Sequence, residues 1–152
     1  MATPCYIFDI DGTLANGDHR LHHIQKQPKD WDAFFEACDA DLPHMHIIQL
    51  ARDILAAGTP IVFVSGRSDQ VIVKTVDWLQ SQINHPNIHK GCRVYMRKAG
   101  DHKNDDELKI ELLAELRKDG YEPIMAFDDR NRVVKAWREA GIPCAQVAEG
   151  DF

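Results

Sequence analysis

Ile7-Phe8-Asp9-Ile10-Asp11-Gly12-Thr13-Leu14 runs an apolar strand straight into two carboxylates. Burying acids at the mouth of a strand is costly unless a metal or a reaction needs them there. Strand side chains alternate, so the pattern predicts Asp9 and Asp11 on one side and Ile10 on the other. Gly12 then frees the backbone to turn sharply. Two acids at this spacing suit one division of labour. One carboxylate ligates Mg²⁺ and attacks phosphorus, and its neighbour handles the proton on the leaving oxygen.

Outward from this stretch, β-rich runs alternate with helical patterns, the signature of an α/β fold with a parallel sheet. Strands are expected at Cys5–Phe8, Pro60–Val64, Arg93–Met96, Ile124–Phe127 and Cys144–Val147. Ile47, Leu50, Ala51, Ile54 and Leu55 repeat at helical spacing up to Gly58, and Val71, Thr75, Trp78 and Leu79 mark a second helix. A third runs from about Asp105 to Lys118 on Leu108, Leu112 and Leu116, and a fourth carries Val133, Val134 and Trp137. Asn16 to Pro43 breaks the alternation and reads as a small helical insertion over the mouth of the sheet. Ligands of open parallel sheets bind beyond the carboxyl ends of the strands. The polar motifs fall at those ends and are therefore expected to converge.

Three further clusters sit there. Val64-Ser65-Gly66-Arg67 offers a hydroxyl, a free turn and a guanidinium that can neutralise a phosphoryl group. Its plainer reading is a strand-to-helix turn capped by Ser65. Arg97-Lys98-Ala99-Gly100-Asp101-His102-Lys103-Asn104-Asp105 is followed one turn later by Lys109, an i,i+4 pair that also reads as a surface ion pair. Phe127-Asp128-Asp129-Arg130 places a second acidic pair after an apolar strand, which a solvated charge run explains poorly.

At 152 residues the chain suits one domain with a real core. No apolar run approaches the roughly 20 residues that span a bilayer. Met1-Ala2-Thr3-Pro4 lacks the layout of a signal peptide. The four cysteines are scattered, which suits a reduced, cytoplasmic protein with buried thiols. A formal net charge of −6 argues against a broad, non-specific grip on nucleic acid but leaves room for a local phosphate pocket.

Together the clusters resemble the haloacid dehalogenase (HAD) phosphohydrolase superfamily, with D-I-D-G-T as its first motif, Ser65 as its second, Lys109 its third and Asp128-Asp129 its fourth. Arg20, Val64-Ser65-Gly66-Arg67, the Gly100-Asp101 to Lys109 stretch and the closing Gln146 to Phe152 narrow the resemblance. They are similar to the 3′-phosphatase domain of phage-type polynucleotide kinase–phosphatases across nearly the whole chain. The resemblance implies a three-layer HAD-like (Rossmannoid) fold with about five parallel strands and a small helical cap at 16–43. It implies Asp9 as nucleophile, Asp11 as acid and then base, and Mg²⁺ on Asp9, the Asp11 carbonyl and Asp128, with Asp129 an orienter or a ligand. Ser65 and Lys109 would hold the phosphate, helped by Arg20, Gly66 and Arg67, and Asp105 would hold Lys109. Arg97 and Lys98 would follow a polynucleotide end. The implied substrate is a 3′-phosphorylated nucleic-acid end or nucleotide, with no membrane partner and homo-oligomerisation left open. No G-x-x-x-x-G-K-[ST] is present, so kinase activity is not expected, and a phosphatase of free nucleotides is the alternative.

Other readings compete. A receiver domain also gathers acids, a Ser or Thr and a Lys around Mg²⁺, but resemblance to that family would place its acidic pair after the first strand and its acceptor Asp after the third. A non-catalytic nucleic-acid end-binding module gains nothing from carboxylates facing phosphate. The histidines, above all His19, His22, His23, His44 and His46, match no common zinc spacing. Trp31, Phe34 and Phe35 read either as the core of the insertion or as a base-stacking surface.

Overall fold

A computed structural model describes all 152 residues. The first strand, β1 (Thr3–Phe8), stops at the residue before Asp9. A two-residue strand β2 (Ala15–Asn16) opens the insertion, which holds the short helices α1 (His22–Gln25) and α2 (Trp31–Glu36) and closes on β3 (Leu42–Pro43). Then follow α3 (Met45–Ala56), β4 (Ile61–Ser68), α4 (Ile72–Ile83), β5 (Arg93–Arg97), α5 (Asp105–Lys118), β6 (Tyr121–Asp128), α6 (Asn131–Glu139) and β7 (Cys144–Gln146). The main sheet has five parallel strands in the order β5-β4-β1-β6-β7.

Alternation along the buried strands builds the three layers. Cys5 and Ile7 of β1, with Val62 and Val64 of β4, pack with Leu108, Leu112, Leu113 and Leu116 of α5 and with Val133, Val134 and Trp137 of α6. Phe8, Ile61 and Phe63 point the other way and pack with Ile47, Ile48, Ala51 and Leu55 of α3 and Trp78, Leu79 and Ile83 of α4. Such runs, apolar on both faces, are what a parallel sheet covered on both sides demands. Helix α5 ends within three residues of Gly120, whose φ of +97° suits the turn into β6.

The structure departs from the expected elements in three places. β4 continues through Ser65-Gly66-Arg67 to Ser68 instead of ending at Val64, with its register against β5 shifting between Ser65 and Ser68. Ser68, not Ser65, therefore caps the following turn, accepting from the Gln70 amide at 3.3 Å. β6 starts at Tyr121, three residues before Ile124, and accommodates Pro123 where its register against β1 shifts. The insertion is helical as expected, but an antiparallel β2–β3 pair ties its two ends. Ladders two residues long leave no periodicity to read.

Candidate active site

The chain leaves β1 through a knot of backbone bonds. The Asp9 amide still donates to the Phe127 carbonyl at 3.0 Å, and the Ile10 carbonyl accepts from the amides of Thr13, Leu14 and Ala15. Gly12 is required twice at this turn. Its φ is +84°, and a Cβ there would overlap the Asp129 carboxylate.

Asp9 extends the face that carries Ile7, so it meets α5. Its Oδ1 accepts from Lys109 Nζ at 2.8 Å, and its Oδ2 from Thr13 Oγ1 at 3.0 Å. Lys109 Nζ donates a second bond to Asp128 Oδ2 at 2.8 Å, which also accepts from Trp137 Nε1 at 3.2 Å. Asp128 Oδ1 accepts from the Asp129 amide at 2.9 Å. The closing segment braces this pair from behind. Gln146 Nε2 donates to the Asp129 carbonyl at 2.9 Å, and a Cβ on Gly150 would overlap that same carbonyl.

Asp9, Asp128 and Asp129 offer oxygens that all lie within 4.8 Å of one another, and all three residues are buried. One ammonium, Lys109, faces these three carboxylates. Burial and the Asp128 charge push the Asp9 carboxyl well above its usual range, and burial together with Asp128 raises Asp129 as well. Burial works against the Lys109 charge, but Asp128 and Asp9 more than restore it and hold the ammonium protonated. Hard oxygen donors with uncompensated negative charge fit a hard divalent cation such as Mg²⁺.

A second set lies beside the first. Asp11 has left the strand, and its side chain is 37% exposed. Arg67 Nη2 donates to its Oδ1 at 2.8 Å, and Arg20 Nη2 donates to the same oxygen at 2.6 Å. Burial alone would raise the Asp11 carboxyl, but Arg67 and then Arg20 overcome it and hold the group below its usual range. Both guanidinium groups are almost fully buried, so each needs a further fixed anion. Asp41 is that anion. It accepts from Arg20 Nε and Nη2 at 2.8 Å each, from Arg67 Nη2 at 3.0 Å, and pairs with His19 at 2.7 Å. Its carbonyl accepts from Trp78 Nε1 at 2.9 Å, anchoring the insertion to α4.

The expected residues therefore fall into three groups. Asp9, Lys109, Asp128 and Asp129 converge. Asp11, Arg20 and Arg67 form the neighbouring set, and the Asp11 carboxylate lies outside the carboxylate cluster, its expected metal donor being the carbonyl. Ser65 is fully buried on β4, two residues beyond Phe63, the partner of Phe8, and its Oγ accepts from the Arg67 amide at 3.1 Å.

The third group corrects two expectations. Asp105 does not hold Lys109. It binds Arg97 Nη2 at 2.6 Å through Oδ1 and Arg130 Nη1 at 3.0 Å through Oδ2. Lys109 turns inward to two buried carboxylates, which offer a stronger field than one partner at a helix end. Arg97 is not free at the mouth either. It donates to the carbonyls of Gly66 at 2.9 Å and Lys103 at 2.6 Å, so the loop after β5 is curled around it. Gly66 permits this, since a Cβ there would stand 2.7 Å from Asp105 Oδ1. Lys98 is exposed, whereas Lys103 pairs with Asp101 and Glu111.

Sequence reasoning missed Asp41, Thr13 and Trp137 as parts of the site. Asp41 carries no signal of its own, being one acid among several in an insertion without periodicity. Thr13 is visible in D-I-D-G-T, but its bond to Asp9 follows only from the turn that brings it back over the strand end. Of the histidines, His19 pairs with Asp41, and His22 and His23 lie ring to ring at 4.0 Å.

A five-stranded parallel sheet whose strand ends carry this carboxylate–lysine cluster defines a HAD-type phosphatase. Residues 3–152 match the sequence profile of the polynucleotide kinase PNKP phosphatase domain, and the chain belongs to that family. A chain of Autographa californica nuclear polyhedrosis virus, described as a bifunctional polynucleotide kinase/RNA ligase, is 34% identical over 135 residues. The match covers 89% of this chain and 18% of the viral one. A chain of the Pnkp1/Rnl/Hen1 complex superposes with a TM-score of 0.79 at 28% identity, covering 99% of this chain and 48% of its own length. The class C acid phosphatase from Bacillus anthracis shares the fold, with a TM-score of 0.65 at 13% identity over 97% of this chain and 69% of its own. The chain thus spans under a fifth of the viral relative and about half of the Pnkp1/Rnl/Hen1 chain. No helix is long and apolar enough to cross a membrane.

Proposed function

We propose that the protein is a Mg²⁺-dependent phosphatase that removes 3′-phosphates from polynucleotide ends through a phosphoryl-Asp9 intermediate. The observation that supports it most is Lys109 held 2.8 Å from both Asp9 and Asp128, beside an Asp11 clamped by two arginines. Asp9, Asp128 and Asp129 would hold Mg²⁺ with the Asp11 carbonyl. When bound, the ion supplies charge neutralisation at the transferring phosphoryl group. Asp9 attacks phosphorus while the ribose 3′-oxygen leaves. Arg67 and Arg20 hold Asp11 ionised in the free protein, so it takes up a proton only as the entering phosphate draws those guanidinium groups to itself. Asp11 then gives that proton to the leaving oxygen and takes one back from the water that hydrolyses the intermediate. A phosphate entering beside Asp11 meets Arg20 and Arg67 already oriented, because Asp41 keeps its hold on both. Ser65, whose hydroxyl proton is uncommitted to the Arg67 amide, donates to a phosphoryl oxygen. Catalysis is positioning and charge neutralisation throughout.

A second reading, a phosphatase of free nucleotides, draws support from the withdrawal of Arg97 and Lys103 into their own loop. The test is phosphate release from a 3′-phosphorylated oligonucleotide, the same strand with a 5′-phosphate, a 3′-nucleotide and a 5′-nucleotide at matched concentration. The 3′-phosphorylated oligonucleotide is expected to turn over fastest. Preference for 5′-phosphates or for mononucleotides replaces this reading with the second.

A further inference from the structure

Arg20 links the mouth of the site to an aromatic surface. Its guanidinium donates to Asp11, and its central carbon lies 4.4 Å from the centroid of the Phe34 ring, whose own carbonyl accepts from Nη1 at 3.2 Å. Phe34 meets Trp31 edge-on, with centroids 5.7 Å apart and planes at 84°. Phe35 lies nearly parallel to Trp31 at 5.9 Å. Asp11, Arg20, Phe34 and Trp31 therefore form an unbroken file from the reacting centre to solvent.

The end of that file is anomalous. Trp78 and Trp137 are 5% and 0% exposed and spend their indole N–H groups on Asp41 and Asp128, whereas Trp31 is 47% exposed. Trp31 packs against Phe34 and Phe35 yet leaves 47% of its surface to solvent. Lys29 Nζ stands 5.9 Å from the indole centroid, and Lys26, Lys29 and Trp31 line a shallow concavity of about 500 Å³. Asp30 and Asp32 lie there too, with Asp30 Oδ1 committed to capping the Ala33 amide at 3.0 Å. An exposed indole sharing a concavity with two lysines matches the two demands of single-stranded nucleic acid, a stacking face and cations for the backbone. Two side chains, Arg20 and Phe34, connect Trp31 to Asp11 through direct contacts.

We propose that Trp31, with Lys26 and Lys29, is the stacking platform for a base near the 3′ end of a single strand whose terminal phosphate lies at Asp9. The proposal rests on the phosphatase reading for its polarity, yet binding at Trp31 is measurable without turnover. Tryptophan emission is titrated with a 3′-hydroxyl oligonucleotide and, separately, with heparin, in the wild type and in Trp31→Phe. Oligonucleotide quenching that disappears in Trp31→Phe, with little quenching by heparin, is expected. It stands even if no 3′-phosphatase activity is found, in which case the phosphatase reading alone fails. Quenching that persists in Trp31→Phe, or equal quenching by heparin, overturns the platform. In turnover, Trp31→Ala should raise KM for a 3′-phosphorylated oligonucleotide by roughly tenfold more than KM for p-nitrophenyl phosphate, with Trp31→Phe restoring most of the difference. Equal shifts on both substrates reduce Trp31 to a packing residue of the insertion and overturn the proposal.

Discussion

At the scale of single residues, the proposed mechanism gives two different jobs to the same side chain, aspartate. Asp9 is buried against Lys109, Asp128 and Thr13, in place to act on an incoming phosphoryl group. Asp9→Asn is nearly isosteric but cannot attack phosphorus, so turnover should fall by roughly 10⁴-fold or more while the circular dichroism spectrum stays native. Near wild-type activity in the folded variant would exclude Asp9 as nucleophile. Asp11 stands at the exposed edge, where the proposed mechanism has the leaving group depart. Asp11→Asn should cost far less on p-nitrophenyl phosphate than on a 3′-phosphorylated nucleotide, because p-nitrophenolate needs little protonation; equal losses would remove the acid role. Asp41 supports both arginines from below and is fully buried. Removing one member of a buried ion network typically costs about 3–5 kcal/mol. Asp41→Asn should therefore lower the denaturation midpoint and raise KM for every substrate. An unchanged KM would mean that Arg20 and Arg67 do not depend on it.

At the scale of elements, the loop after β5 is built around one side chain. Arg97 joins the end of β5 to Gly66 on β4, to the carbonyls of Asp101 and Lys103 and to Asp105 at the start of α5, and Arg130 joins the same carboxylate from the end of β6. Arg97→Ala should cost about 2–3 kcal/mol, the scale of charge-assisted bonds lost inside a protein. It should raise KM for p-nitrophenyl phosphate and for an oligonucleotide alike, whereas Lys98→Ala should affect the oligonucleotide selectively. A selective effect of Arg97→Ala would return that residue to the substrate. This loop also marks where sequence stopped being informative. The five strands and four long helices were legible because apolar alternation and helical spacing are local signals, and Asp9, Ser65 and Asp128 were legible because strand ends collect polar motifs, with Lys109 one turn into the helix after β5. The direction of Arg97, the partners of Asp105 and the role of Asp41 depend mainly on residues 8 to 37 positions away, and no local pattern encodes such choices. The same holds for β2 and β3, which exist because they find each other.

At the scale of the molecule, the two-faced core fixes the sheet, and the sheet's carboxyl edge gathers acids from β1 and β6 around a lysine from α5. All four cysteines are free, and burial pushes the thiols of Cys5 and Cys144 up to about 12. A thiol reagent at neutral pH should label Cys5, Cys38 and Cys144 only as the chain unfolds, with half-buried Cys92 reacting first; rapid labelling of Cys5 in native protein would contradict this core. The concentration of buried carboxylates at the edge is also what the proposed metal requirement rests on. Chelation should eliminate activity and Mg²⁺ restore it, while Ca²⁺, which takes more ligands at longer distances, should substitute poorly; full activity in chelator would refute the cation site. The most direct test of the account is to quench the enzyme in acid during turnover of a 3′-phosphorylated oligonucleotide, reduce it with borohydride and locate the modified residue by peptide mass spectrometry. A phosphoryl-Asp9 intermediate predicts conversion of Asp9 to homoserine, dependent on both substrate and Mg²⁺ and absent in Asp9→Asn. Trapping at any other residue, or turnover with no trapped residue at all, would contradict it.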